Sequence, residues 1–249
     1  MASRRLRLLT ALNLGTLVVM AGLMLAGFTN PRRERFDEID VHRINVVDAE
    51  GRPALVIASN GRLPGPMLKG RQYPASIVEG RAQMAGMIFF SQAGDEVGGL
   101  VFAGLRRADG RQSQVGHLSF DQWDQNMVMA LQHIENGSIR RTGLQFIDRP
   151  TGISMSGDLD RAQAILEGTP AQREAARTAS RAAQARGELG TQRIFIGSQD
   201  QQPLLQFKDR AGKLRAQLRL DADGNARLEF FDSGGRVTAT FPETATGAH

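Results

Sequence analysis

Between Leu204 and Phe241 the chain turns back on itself at three Asp-x-x-Gly steps, Asp209–Gly212, Asp221–Gly224 and Asp232–Gly235. Aspartate bonds the backbone two residues on, and glycine supplies the left-handed conformation that closes a tight hairpin. Between the turns the parity is clean. Leu214, Ala216, Leu218 and Leu220 face one way, and Lys213, Arg215, Gln217 and Arg219 face the other. Leu228 with Phe230, and Val237 with Phe241, repeat the alternation. Period two with a polar outer side marks an antiparallel sheet solvated on one face. Residues 191–243 therefore read as a C-terminal β-meander, with 244–249 a tail.

The same unit recurs upstream as INVV-DAEG-RPALVIA, and more loosely in GMIFF-SQAGDEVG-GLVFAG and LQFI-DRPTG-ISM. Residues 36–157 accordingly read as a first β-rich part. Runs such as Met87–Phe90 and Met127–Leu131 do not alternate, which predicts strands covered on both faces. The fold class is mainly β: an N-terminal transmembrane helix, then an antiparallel β-meander of hairpin repeats forming an ectodomain, with a helical insertion.

The helix rests on Leu8–Phe28, 21 residues without a charge. At 1.5 Å per residue such a segment spans about 30 Å, the hydrocarbon thickness of a bilayer. Arg4, Arg5 and Arg7 precede it, as at the basic end of a signal sequence. Met24 and Leu25 occupy places where small residues would direct cleavage, so residues 1–35 read as an uncleaved signal-anchor in contact with membrane lipid. The short N-terminus is expected in the cytoplasm and residues 36–249 outside, in the bacterial envelope. Formal net charge is +5, and residues 1–35 hold six arginines against Glu34 alone. The remainder balances at 31 − 6 = 25 basic and 26 − 1 = 25 acidic side chains. The excess thus flanks the membrane segment, and no nucleic-acid surface is expected.

Two segments interrupt the hairpins. Residues 158–190 read as a helical insertion. Asp158 is expected to cap a turn through Glu167, and Thr169-Pro170-Ala171-Gln172 forms a capping box before a helix stopped by Gly187. Its only apolar face is alanine (Ala175, Ala176, Ala179, Ala182, Ala183), which suits a surface spacer or, as the alternative, a close-packed partner helix. The other interruption, residues 59–83, contains Pro64, Pro66, Pro74 and four glycines. Loops this long usually bind something or are disordered. Arg62, Lys69, Arg71 and Arg81 against Glu79 give it a local charge of +3 around the sole tyrosine, Tyr73, which makes it a candidate anion site.

Catalytic chemistry is sparse. With no cysteine and four histidines, thiolate chemistry is excluded and imidazole sites have little material. Asp221-Ala222-Asp223-Gly224 lacks the sixth-position glycine and twelfth-position glutamate of a calcium loop. Gly152-Ile153-Ser154-Met155-Ser156 lacks the last glycine of a nucleophile elbow. No metal, cofactor or catalytic residue is assigned, and the leaning is towards a protein that is not an enzyme. The carboxylate pairs Asp95–Glu96 and Asp121/Asp124 are the remaining source of an acid and a base for glycoside hydrolysis. Asp121, Trp123 and Asp124, with the sole tryptophan among amides at a predicted hairpin tip, form a candidate glycan site.

The stretches RINVVDAEGRPALVI, GMIFFSQAGDEVGGLVF and RIFIG…LLQFKDRAGKLRAQL resemble a group of bacterial membrane-anchored β-repeat proteins. The resemblance implies the architecture above and carries no activity or site residues with it. The expected function is a structural or interaction module that assembles with itself or with an envelope partner. The alternatives are a binding module for an anionic or glycan ligand and, below that, a carboxylate-dependent hydrolase.

Overall fold

The computed structural model describes residues 2–27, 34–221 and 223–242, in two compact units, Met1–Asp40 and Val41–His249. Phe28, Arg32, Arg33, Ala222 and the 244–249 tail lie outside the described residues. The first unit contains helix α1 (Ala2–Gly27). Its Arg4–Met24 stretch is long and apolar enough to cross a membrane, a test that a signal sequence also passes.

The second unit is mainly β. Its strands are β1 (Arg43–Val47), β2 (Pro53–Ala58), the short pair β3 (Met67–Leu68) and β4 (Arg71–Gln72), β5 (Ala85–Phe90), β6 (Glu96–Arg106) and β7 (Gln112–Asp121). There follow β8 (Met127–Glu135), β9 (Arg140–Asp148), helices α2 (Ser156–Glu167) and α3 (Pro170–Ala185), and β10 (Thr191–Gln199). The last strands are β11 (Gln202–Lys208), β12 (Leu214–Leu220), β13 (Ala226–Phe231) and β14 (Val237–Phe241). Twelve of these form one sheet in the order β1-β2-β5-β6-β7-β8-β9-β10-β11-β12-β13-β14, every neighbouring pair antiparallel.

The aspartate turns share one arrangement. The carboxylates of Asp48, Asp209, Asp221 and Asp232 each accept the backbone N–H groups two and four residues on, at 2.8–3.1 Å. The second oxygen of each takes the guanidinium of Arg52, Arg215, Arg227 or Arg236, at 2.7–3.0 Å. The glycine completing each turn has positive φ, 81° at Gly51, 78° at Gly212 and 84° at Gly224 and Gly235.

The register carries the turn spacing across the whole sheet. Ile44, Ile57, Met87, Leu100, Leu118, Leu131, Leu144, Ile196, Leu205, Leu218, Leu228 and Phe241 are successive cross-strand partners, one from each strand. The neighbouring row on that face, from Val46 through Phe89, Phe120, Phe146, Phe207 and Phe230 to Ala239, contains no polar residue either. The opposite face divides. At β2, β5 and β6 it carries Val56, Ala58, Ile88, Phe90 and Val101, buried under Leu63, Met67 and Met84 of the covering segment 59–84. From β9 to β13 it is largely polar, with Gln192 donating to Gln145 (2.8 Å), Lys208 to Gln192 (3.1 Å), and Gln217 and Arg219 to Glu229 (2.6 and 2.8 Å).

The interruptions differ from expectation in three respects. Segment 59–84 folds into the β3–β4 pair and two 3-10 turns, and it buries Leu63, Leu68 and Tyr73. Asp158 does not cap α2; it lies in the first turn of a helix that begins at Ser156, whose N–H is taken by the Ser154 hydroxyl (3.2 Å). The insertion is tied to the covering segment through α2, where Leu159 packs with Leu68 and Tyr73 in a second cluster. In α3 the Thr169–Gln172 capping box forms with Pro170 at the first turn, and Ala176 and Ala183 are buried while Ala175, Ala179 and Ala182 are exposed.

Two outcomes follow from the turns. Gly224→Val places a branched side chain at φ 84° and is expected to cost ~1–3 kcal/mol in chemical denaturation, against little change for Asn225→Thr. The four turn carboxyls are held below the ordinary value of 3.8, first by the backbone amide four residues on and also by the arginine partner. Their stabilisation is therefore present above 3.8 and lost as pH falls through the depressed folded values. Melting temperature should drop below about pH 4, and the combined Asp48→Asn, Asp209→Asn, Asp221→Asn and Asp232→Asn variant should show a flatter acid limb.

Candidate functional site

Segment 59–84 runs over the covered face of the sheet, and three of its four cations are already matched there. Lys69 pairs with Asp124 (3.0 Å), Arg71 with Asp160 of α2 (2.8 Å), and Arg81 with Glu96 of β6 (2.8 Å). Arg62 is exposed and has no ion pair among the described residues. The segment's charge is thus spent largely on docking it. Tyr73, 3% exposed, lies under the Arg71 guanidinium (4.2 Å to the ring centroid) and donates to Asp160 (3.2 Å). It rivets the segment to α2.

The β7–β8 turn meets the same segment. Asp124, at φ 55°, accepts the Ser154 hydroxyl (2.7 Å) as well as Lys69. Burial resists ionisation there, but Ser154 and Lys69 outweigh it and hold the carboxyl below its ordinary value. Asp95 accepts the backbone N–H of Lys69. Trp123 is 68% exposed at the turn tip, so it is not a core residue. Lys69 and Asp124, singled out as parts of two separate sites, belong to one contact, whereas Arg62 and Trp123 lie outside it.

Beneath the segment is a cavity of about 280 Å³. The covering segment contributes Leu63, Met84 and Arg81, strand β6 Glu96 and Val101, strand β7 Val115, His117, Ser119 and Asp121, and α2 Leu159. Apolar walls with a few converging polar groups are the usual form of a small-molecule site. Arg81 is buried, with Nε donating to the Pro64 carbonyl (2.6 Å) and both terminal nitrogens to Glu96 (3.2 and 2.8 Å). Taken as a donor, the Gln132 amide on His117 Nδ1 (3.2 Å) leaves the imidazole proton on Nε2. Burial lowers the His117 pKa and so favours the neutral ring.

Asp121 is the exception. Its Oδ1 is buried without a hydrogen-bond partner among the described residues. Burial first, and then the Glu96 charge, raise its pKa to about 7 against the pull of Arg149, Ser119 and Arg81. Glu96 and Asp121 thus share one cavity in opposite conditions, the first neutralised by Arg81 and the second half-protonated near neutrality. In the sequence Asp121 is visible as a turn residue beside Trp123 and, paired with Asp124, as a candidate acid or base, but nothing there sets it against Glu96. The cavity partners Glu96, His117 and Arg81 come from separate strands and from the covering segment, and no local spacing announces them.

Among the described residues no group of three or more metal-ligating side chains converges. No family model matches the chain, and no curated protein matches it.

The raised Asp121 value has a sign. Its contribution to stability is full below 3.8 and lost as pH rises through about 7, because the folded state disfavours the carboxylate. Asp121→Asn should therefore gain on the wild type with rising pH, melting higher than it at pH 8 but not at pH 4. Equal differences at both pH values would refute the assignment.

Proposed function

We propose that the chain is a single-pass membrane-anchored protein with residues 36–249 outside the cytoplasm, acting as a non-enzymatic assembly module in which two copies meet through the apolar faces of their sheets. The observation that carries this is the pair of apolar rows crossing all twelve strands, with many large side chains on that face exposed. Phe102 is 56% exposed, Leu131 53%, Phe120 49%, Ile196 47%, Phe207 44% and Leu218 43%. An aromatic side chain presents roughly 150–250 Å². Half-exposed, six of the phenylalanines of this face, Phe89, Phe102, Phe120, Phe207, Phe230 and Phe241, offer ~600 Å². The aliphatic residues between them bring the patch to the ~800 Å² per partner of a stable interface. Monomeric proteins seldom expose so much contiguous apolar area.

A second copy is the favoured occupant because two rows without a polar residue can meet the same rows of another copy with no charge left unpaired, as a twofold interface requires. Sheets pack face to face about 10 Å apart. The opposite face is polar from β9 to β13, so such pairing closes at two copies. A membrane tether would hold the copies in one plane and raise their effective concentration. The anionic-ligand alternative has less support, since Lys69, Arg71 and Arg81 already face acidic partners. The hydrolase alternative is weakened because Arg81 occupies Glu96 of one candidate pair and Lys69 with Ser154 occupies Asp124 of the other.

Mass measurement of the full chain in detergent should give two copies per particle. The double variant Leu131→Glu, Ile196→Glu should give one, with an unchanged circular-dichroism spectrum, since both positions are exposed. A wild type that is monomeric at every concentration would overturn the proposal, and lipid co-purifying with that monomer would assign the face to acyl chains.

A further inference from the structure

We propose that the cavity behind Asp121 is a binding site for a small aliphatic primary amine, its ammonium held by the Asp121 carboxylate and its hydrocarbon part lying against Leu63, Met84, Val101 and Leu159. This site is on the covered face and is independent of the pairing of sheets. The Oδ1 of Asp121 is buried without a hydrogen-bond partner among the described residues. A buried acceptor without a donor costs about 1–3 kcal/mol, more if charged, and a ligand N–H removes that cost.

Charge then selects among ligands. Both cations near Asp121 are engaged. Arg81 bonds Pro64 and Glu96, and Arg149 donates to the Met127 carbonyl (2.9 Å) and to that of Leu189. A carboxylate ligand would find neutral donors, His117 Nε2–H, the Ser119 hydroxyl and the Asn126 amide, but no free cation, and would lie beside Glu96 and Asp121. An ammonium would meet a buried carboxyl oxygen that no other donor claims. Size is set by the volume: a 150 Å³ apolar cavity holds benzene, so about 280 Å³ holds roughly ten non-hydrogen atoms.

Binding must compete with protonation of Asp121. The groups facing it are Glu96 from β6, His117 and Ser119 from β7, Arg81 from the covering segment and Arg149 after β9, the last also facing Asp158 of α2. With the carboxyl titrating at about 7, its ionised fraction falls roughly thirtyfold between pH 8 and pH 5.5.

The test uses the full chain in detergent and three probes of one size: cyclohexylmethylamine, cyclohexylmethanol and cyclohexanecarboxylate. The amine should bind saturably at pH 8 in calorimetric titration and raise the melting temperature, with affinity about thirtyfold lower at pH 5.5. Asp121→Asn should lose this binding. Val115→Phe, which keeps Asp121 and fills the cavity, should lose it as well, and it decides the matter should Asp121→Asn fail to fold. Alcohol or carboxylate binding at least as tightly as the amine would overturn the proposal. So would amine affinity indifferent to pH, or persisting in Val115→Phe. Because the readout is ligand affinity, its failure is distinct from failure of the two-copy assembly.

Discussion

The sheet depends on parity being preserved through every reversal of the chain. A slip of one residue at any turn would send that strand's apolar set to the other face. The protection lies in the turns themselves. Those beginning at Asp48, Ser91, Arg107, Asp209, Asp221 and Asp232 all carry the same pair of backbone bonds, N–H(i) to O(i+4) and N–H(i+3) to O(i). Four of these turns add an aspartate carboxylate bound to two further amides and an arginine. With turn length fixed, an apolar residue on one strand necessarily meets an apolar residue on the next. The row from Ile44 to Phe241 is the accumulated result.

This is why the strands were legible. Leu214, Ala216, Leu218 and Leu220 display their common face in the sequence, and the intervening Lys213, Arg215, Gln217 and Arg219 display the other. Met87–Phe90 was legible as a strand covered on both faces only in part: Ile88 and Phe90 are buried, but Phe89 is exposed on the open side. What could not be read was pairing at a distance. The +3 of segment 59–83 looked like a surplus because its partners are remote in the chain. Glu96 lies 15 residues from Arg81, and Asp160 lies 89 from Arg71. Local charge counting sees one side of such pairs. The insertion misled for a related reason: its alanines advertise a bland surface, while the residue that matters to packing, Leu159, sits in the preceding helix.

Asp121 and Glu96 show how one cavity separates two chemically alike groups. Glu96 receives both terminal nitrogens of a buried arginine, so its charge is answered where it stands. Asp121 faces that same glutamate across apolar walls with one oxygen unanswered. The burial is common to both; the guanidinium is not. Placing the arginine on the covering segment also makes the cavity's electrostatics conditional on that segment being docked by Lys69, Arg71 and Tyr73.

Strand order has a consequence for how such a chain comes to be. Each strand of the large sheet bonds only to strands adjacent to it along the sequence, apart from the β3–β4 pair set aside between β2 and β5. Loop-closure entropy is therefore small at most steps, and structure can be laid down hairpin by hairpin as residues emerge from synthesis. Two closures are long, the one spanning segment 59–84 and the one spanning α2 and α3. They divide assembly into three stretches, β1–β2, β5–β9 and β10–β14, of which the last can lengthen or shorten by a hairpin without disturbing any older contact. A sheet built this way behaves like a tandem array, and duplication or loss of a hairpin at its C-terminal edge would alter the width of the apolar surface while leaving the cavity intact.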